Sequence, residues 1–399
     1  MLASPEARDR ILLAVAIGAA GLIQISIAAS QLLLGLGILL LLLFERRLPF
    51  PRIWIPLAGL FLWTLLADAL SADPWLGRAQ LKKFFVFLFI PLIYAVFRKQ
   101  LDKVFWLIAV WAAGATASST LAIVQYLRHA RESYIAYVGK RITGFESHWM
   151  TFGALELSVL LLLLAQWFFA SRRMPLWAYF SVLVLTAAII LGGTRSIWLA
   201  AVPAVLYLVW LWRPWMTLAV PILAGVAFLA APNNVKERAL SLVSPHQNVD
   251  SNRFRVITFR TGIEMIKAHP WFGVGPEEIR RNFDTYLPKD TPRPLPAGYY
   301  GHLHNIYVQY GAERGIPGLL FVLWLIGLSL YDFLAAIFRQ QRKERSERLF
   351  LLHGAVAVIL AILLEGAFEY NLGDSEVLMM FVTVIALGYA AISARRTPA

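Results

Sequence analysis

The sequence predicts an all-α polytopic integral membrane protein, and three observations carry that reading. First, 59% of the 399 residues are hydrophobic and 15% are charged, against roughly 45–50% and about 25% in soluble domains. No soluble core can hide that much apolar surface. Second, the apolar residues come in solid blocks of about 15–22, the length that crosses a bilayer core of about 30 Å. A β-barrel would instead show short alternating segments. Third, mean hydropathy over the whole chain is +0.63. The absence of cysteine excludes disulfides, thiolate catalysis and Cys-ligated metal.

Taken in order, the candidate spans are roughly 10–29, 31–44, 53–70, 84–97, 104–127, 151–170, 174–193, 195–212, 215–232, 315–338, 349–369 and 376–393. They make about twelve helices. The second and fourth are short, which fits a tilted or partly interfacial helix. The first is apolar for too long, and lacks an A-x-A cleavage site, to read as a signal peptide. About nine helices fall in 1–232 and about three in 304–399, divided by a hydrophilic segment, 233–303.

Orientation follows from the short loops. With Arg8 and Arg10 in the cytoplasm, so are Arg46, Arg47 and Arg52; Arg98, Lys99 and Lys103; Arg172 and Arg173; Arg213; Arg339, Arg342, Lys343, Arg345 and Arg348; and Arg395 and Arg396. Every short basic loop then shares one side. Both termini are cytoplasmic and 233–303 is external.

That assignment strands a second set of cations outside, where the topological bias does not want them. They are Arg78, Lys82 and Lys83; Arg128, Arg131, Lys140 and Arg141; Arg195; and ten more between 236 and 293. Some belong to a solvated loop surface. The net charge of +13 also asks for an anionic partner, and phosphate or pyrophosphate suits guanidinium groups.

Within 233–303, residues 253–268 read as an amphipathic helix, with Phe254, Ile257, Phe259, Ile263 and Ile266 apolar and Arg253, Arg260, Glu264 and Lys267 largely elsewhere on the wheel. His269-Pro270 ends it, and Gly273-Val-Gly275-Pro276 makes a turn. Residues 277–287 are expected as a second short helix. The proline-rich stretch 288–298 is irregular and could act as a lid.

Four constellations carry candidate chemistry. Gly301-His302-Leu-His304-Asn305 stands where the chain re-enters the membrane, followed by Gln309, Gly311, Gly315 and Gly318. Two imidazoles and an amide there can take a proton, position a hydroxyl and hydrogen-bond a sugar. A metal pair is the competing use, but no further ligands stand at a recognisable spacing. Gly192-Gly193-Thr194-Arg195-Ser196 is a sharp turn between apolar spans; Arg195 either anchors at the interface or faces a phosphate, which the glycines would let approach. Arg255 and Arg260, flanked by Arg253, suit a pyrophosphate or a plain surface helix. Gly139-Lys140-Arg141-Ile-Thr143-Gly144 and His148 form another basic turn, leading into a span that carries Glu156. Glu365, Glu369, Asp374 and Glu376 cluster at the outer end of a helix pair, where pairing with the outer arginines is the expected role.

These patterns resemble the O-antigen ligase and polymerase superfamily of bacterial envelopes, most of all the O-antigen ligases. The resemblance lies in Arg141-Ile-Thr-Gly144-Phe, Thr194-Arg195-Ser196, Arg255 with Phe259 and the helix ending Ala-His269-Pro270-Trp-Phe-Gly273-Val-Gly275, and His302-Leu-His304-Asn305 with its following glycines. Phe259 stands where the pattern often has Trp. The motifs cover about 140–330, and the topology covers the whole chain.

The resemblance implies a GT-C-like membrane fold and an undecaprenyl-diphosphate-linked glycan as donor. It places transfer on the periplasmic face of the inner membrane. Arg195 and Arg255 are expected to bind the diphosphate, with Arg141, Lys140, Arg260, Arg253 and Asn305 as further binding residues. One of His302 and His304 is expected to contact the acceptor hydroxyl. For a ligase the acceptor is lipid A–core oligosaccharide, and the excess of outer cations fits a phosphorylated acceptor. The other members transfer to a second lipid-linked repeat or to a protein hydroxyl. The expected mechanism is inverting displacement, with no cofactor, no metal and no nucleic acid. The alternative from another class is a transporter for an anionic lipid or solute, which should show repeated halves or discontinuous midplane helices. The halves here do not resemble each other.

Overall fold

The computed structural model describes residues 4–46, 48–129, 133–244, 252–339 and 345–394. Arg47, Arg131, Arg342, Lys343, Arg395 and Arg396 lie outside the described residues. Among the described residues every regular element is a helix and there is no strand. The helices are α1 (Pro5–Gly21), α2 (Ile27–Glu45), α3 (Trp54–Ala69), α4 (Pro74–Lys83), α5 (Phe89–Phe97), α6 (Val104–His129), α7 (Tyr134–Gly139), α8 (Trp149–Phe169), α9 (Leu176–Leu191) and α10 (Arg195–Trp212). They continue as α11 (Ala219–Ala230), α12 (Asn233–Leu240), α13 (Asn252–Ala268), α14 (Ile279–Asn282), α15 (Ile306–Phe338), α16 (Glu347–Gly366) and α17 (Ser375–Ser393).

All twelve expected blocks are helical. Eight are long and apolar enough to cross a membrane, with α4 and α5 joined through a 3-10 turn into one of them; α3, α9 and the α11 segment are shorter apolar helices. The first expected span is cut at Gly21, because Ser26 caps a new helix by accepting the Ala29 amide at its Oγ (3.3 Å).

The centre of the bundle is α8, α16 and α17, which are buried almost all round. A helix apolar on every face belongs there. The outer helices show two faces instead. On α2, Ser30, Leu34, Gly37 and Leu41 face the protein, whereas Leu32, Leu36, Leu39 and Leu43 are exposed, as a lipid-facing stripe should be.

The short basic loops share one end of the bundle, tied there by Arg52–Asp332 (2.7 Å), Lys99–Glu45 (2.5 Å), Arg172–Glu347 (3.8 Å) and the Ser346 amide on the Phe169 carbonyl (2.9 Å). The histidines lie at the opposite end.

At that histidine end α15 is broken. Its 33 residues would extend about 50 Å, well beyond a bilayer core. Gly315 takes φ 68 and ψ 178 inside it. The Pro270–Gly275 turn lies in the break, with the Val274 amide donating to the Ala312 carbonyl (2.8 Å) and the Ile316 amide to the Pro270 carbonyl (2.7 Å). A Cβ at 315 would meet the Trp271 carbonyl at 2.0 Å, so only glycine fits.

The hydrophilic segment packs around this broken end. Helix α13 matches the amphipathic expectation at Phe254 and Ile257, which are buried, and at Ile263 and Ile266, which are half-buried. Phe259 is exposed, contrary to the wheel reading, since Thr258, Thr261 and Gly262 occupy the packed face. The helix expected over 277–287 is a single turn, α14. Glu277 sits at φ 67 and gives its amide to the Glu313 carboxylate (3.1 Å), so a helix cannot start before it.

Candidate active site

The site forms where four chain segments meet: the His302–His304 turn, the Glu369–Asp374 connection after α16, Arg255 on α13, and the Arg141–Trp149 stretch that opens α8. Asn305 fixes the turn. It caps α15 by accepting the Tyr307 and Val308 amides (both 3.0 Å) at Oδ1, and donates from Nδ2 to the Ala367 carbonyl (2.8 Å). Its side chain is therefore engaged in joining the turn to the end of α16. Gln309 holds the turn from behind, accepting the Leu303 amide at 2.7 Å.

His304 adopts φ 50, a conformation that non-glycine residues keep only when their surroundings enforce it. Its Nδ1 lies 2.9 and 3.1 Å from the two Glu369 carboxylate oxygens. A carboxylate only accepts, so Nδ1 carries the proton. Nε2 stands 3.3 Å from the Tyr299 carbonyl, which also only accepts, so in this contact Nε2 is the donor and the ring carries both protons. His302 stacks beside it, with ring centres 4.0 Å apart, and its Nδ1 is 3.9 Å from Glu369. Burial, aided by the neighbouring His304, pushes the His302 imidazole down to about 4. Burial would raise the Glu369 carboxyl, but the hydrogen bond and charge of His304, with Arg255 and His302, carry it down to about 2.

Arg255 approaches the other oxygen of Glu369 at 3.6 Å. Beyond it lie Arg141, Arg195 and Arg238. Burial first, and then the charges of Arg238, Arg255 and Arg195, bring Arg141 down to about 9. Arg141 stacks over the Trp149 ring at 4.1 Å and donates Nε–H to the Val138 carbonyl (3.2 Å). Arg255 Nε, Trp149 Nε1 and His302 Nδ1 are buried without a hydrogen-bond partner among the described residues.

Arg195 is 6% exposed and serves the loop: NH1 donates to the Ser241 carbonyl (2.8 Å), NH2 to Asn252 Oδ1 (2.5 Å). Gly193, at φ 62, is approached by the Tyr137 hydroxyl, which fills the space a Cβ would need. A ligand cannot use that approach, so this expectation is corrected.

His302, His304 and Glu369 could offer three ligand atoms within 4.8 Å of one another. Two zinc ligands at about 2.0–2.1 Å stand about 3.3 Å apart, whereas His304 and Glu369 are in hydrogen-bond contact. Arg255 also places positive charge where the cation would sit. The donor set fits a base held by a carboxylate better than a metal.

Residues 180–323 match the family model described as O-antigen ligase. The match supports the O-antigen ligase and polymerase superfamily and that type of function. No curated protein matches the chain at a significant level. The O-antigen ligase segment contains Arg195, Arg255, His302 and His304; Arg141, Trp149 and Glu369 lie outside it and complete the cluster.

The remaining binding candidates are exposed. Arg260 is exposed and forks onto Asp290 (2.9 Å to each oxygen). Arg253 and Lys140 are exposed. Of the acids expected to pair with arginine, Glu369 does so, Glu365 accepts from Asn371 (2.9 Å), and Asp374 accepts from Thr151 (2.6 Å).

Sequence reasoning missed Arg238, which is 2% exposed and donates to the Gly193 carbonyl (3.0 Å). It also missed the buried Glu313–Arg314 pair. Glu313 accepts from Gln309 (2.9 Å), and Arg314 donates to Glu313, Thr64 and Gln80. Two adjacent opposite charges just before a Gly-Ile-Pro-Gly break were the available signal.

Proposed function

We propose that the protein is an O-antigen ligase. It transfers O-antigen polysaccharide from undecaprenyl diphosphate to lipid A–core oligosaccharide at the periplasmic face of the bacterial inner membrane, with both chain termini in the cytoplasm. The observation that carries this reading is Glu369. One carboxylate holds His304 on one side and Arg255 on the other, and so joins a base to a cation in one buried unit.

For His304 to act as a base, Nε2 must first give up the proton it shows to the Tyr299 carbonyl; the neutral Nδ1–H ring then turns its free Nε2 to the acceptor hydroxyl. Nε2 accepts the hydroxyl proton as the oxygen attacks the anomeric carbon. The anomeric C–O bond breaks with inversion, and its electron pair leaves on the diphosphate. Arg255 and Arg141 stabilise that charge, with Arg238 and Arg195 adding positive potential from behind. Glu369 fixes the Nδ1–H tautomer and offsets the imidazolium charge, as carboxylates do in His-based triads. His304 is the base in preference to His302, because an imidazole held at about 4 takes protons poorly near neutral pH. Arg195 is an anchor of the loop as much as a source of charge.

The test is transfer from purified lipid-linked glycan to purified lipid A–core. Glycan on lipid A–core supports the ligase; lengthened lipid-linked chains point to a polymerase. Glycan lipid that crosses vesicles without any transfer would establish the transporter instead. Transfer in EDTA is expected to equal the untreated rate, and loss restored by added divalent ions would make His302, His304 and Glu369 a metal site.

A further inference from the structure

We infer that Trp149 binds the leaving group directly, its indole N–H donating to a phosphate oxygen of the donor diphosphate. The inference rests on the reading of Arg141 and Arg255 as a diphosphate site. Trp149 is the first residue of α8, placed by His148, whose Nδ1 accepts the Met150 amide at 3.3 Å. Its ring lies under the Arg141 guanidinium at 4.1 Å and against the His148 ring at 4.0 Å. His148 in turn feels the charges of Glu369, Asp374, Arg141 and His304, so the stacked His148 and Trp149 rings border the charged cluster.

Three other indoles of the bundle each find a carbonyl: Trp63 donates to Arg314 (2.8 Å), Trp111 to Ala20 (2.8 Å) and Trp198 to Ile189 (2.9 Å). Trp149 Nε1 is buried and has no acceptor among the described residues, and Arg255 Nε shares that condition. A buried donor without an acceptor is unfavourable and is kept where a ligand supplies one. Indole is a donor only, so it selects an acceptor oxygen.

The choice of a neutral donor has a physical reason. Arg141 is already opposed by Arg238, Arg255 and Arg195, and a further cation would add to that repulsion in the free enzyme. An indole adds a bond to the anion without adding charge. It also supports Arg141 from below through its ring face.

The experiment uses the full chain in detergent and measures binding of polyprenyl diphosphate and of uncharged polyprenol to the parent, Trp149→Phe and Trp149→Leu. Phe keeps a ring under Arg141 and removes only the N–H. The expected result is a Kd for polyprenyl diphosphate about 10- to 100-fold weaker in Trp149→Phe, weaker again in Trp149→Leu, with polyprenol binding unchanged. Equal diphosphate affinity in parent and Trp149→Phe overturns the assignment. If the parent itself prefers polyprenol or binds both alike, the diphosphate reading of the cluster fails, and the role of Trp149 with it.

Discussion

The Glu313–Arg314 pair and the Glu369–Arg255–Arg141 cluster share the histidine end of the bundle, and both bury charge that a membrane protein holds at a cost. The first is closed. Arg314 has three protein acceptors, Glu313 accepts from Gln309, Arg314 and the Glu277 amide, and none of these side chains has an orphaned buried atom among the described residues. The second is open. Glu369 is shared between His304 and Arg255, and three buried nitrogens lack partners among the described residues. Burial and residue type are alike in both; completeness of pairing is what separates scaffold from site. Gln309 connects them, bonded to Glu313 on one side and to the Leu303 amide on the other.

The strongest way to break this contrast is at the base. His304→Ala is expected to lower turnover by about 10²–10⁴-fold with donor affinity unchanged, in a single assay alongside His302→Ala, whose effect is smaller. Parental rates from both variants would remove the base from this site.

Stability should divide the two clusters next. Arg314→Met strands Glu313 and is expected to cost about 3–5 kcal/mol, read by denaturant unfolding in detergent. Joint replacement of Glu313 and Arg314 by apolar residues should recover most of it. Arg255→Ala should leave unfolding near the parental midpoint while weakening donor binding by about 1.5–3 kcal/mol, and Arg255→Lys should restore only part, because an ammonium cannot fork across two oxygens. Equal destabilisation by both arginine variants would dissolve the distinction.

A subtler effect concerns pH. His302 is held at about 4 in the fold, below its ordinary value near 6.5. The unfolded chain therefore binds more protons between those values, so this contribution to stability is complete above pH 6.5 and is lost as pH falls towards 4. Thermal unfolding of His302→Gln should show a flatter slope across that window than the parent. The smallest effect is expected at Arg260→Ala, where transfer should match the parent because the Arg260–Asp290 fork is exposed and away from the histidines.

Much of this was legible in the sequence where the signal is local. Twelve apolar blocks became helices because each exceeds the length at which burial and backbone pairing agree. The His302-Leu-His304-Asn305 stretch stood out because its residues are neighbours in the chain. The rest depends on contacts at long separation. Glu369 lies 65 residues from His304, and Arg195 meets Ser241 46 residues on. Nothing in Asn305 itself distinguishes a helix cap from a sugar ligand until the end of α16 is beside it. The failed helix at 277–287 shows the same limit: its composition suits a helix, but the Glu277 amide is claimed by Glu313.

The break at Gly315 sets where this molecule could be cut and recombined. Residues 306–314, the two histidines and the Pro270–Gly275 turn are locked together on the loop side of the break, so a segment exchanged between relatives to alter acceptor choice would join at 315. Such a cassette would import the base without its orienting carboxylate, because Glu369 stays with the host. Grafts should therefore work only into recipients that already carry an acid after the helix equivalent to α16, which makes the compatibility of chimaeras a property of the recipient and not of the segment transferred.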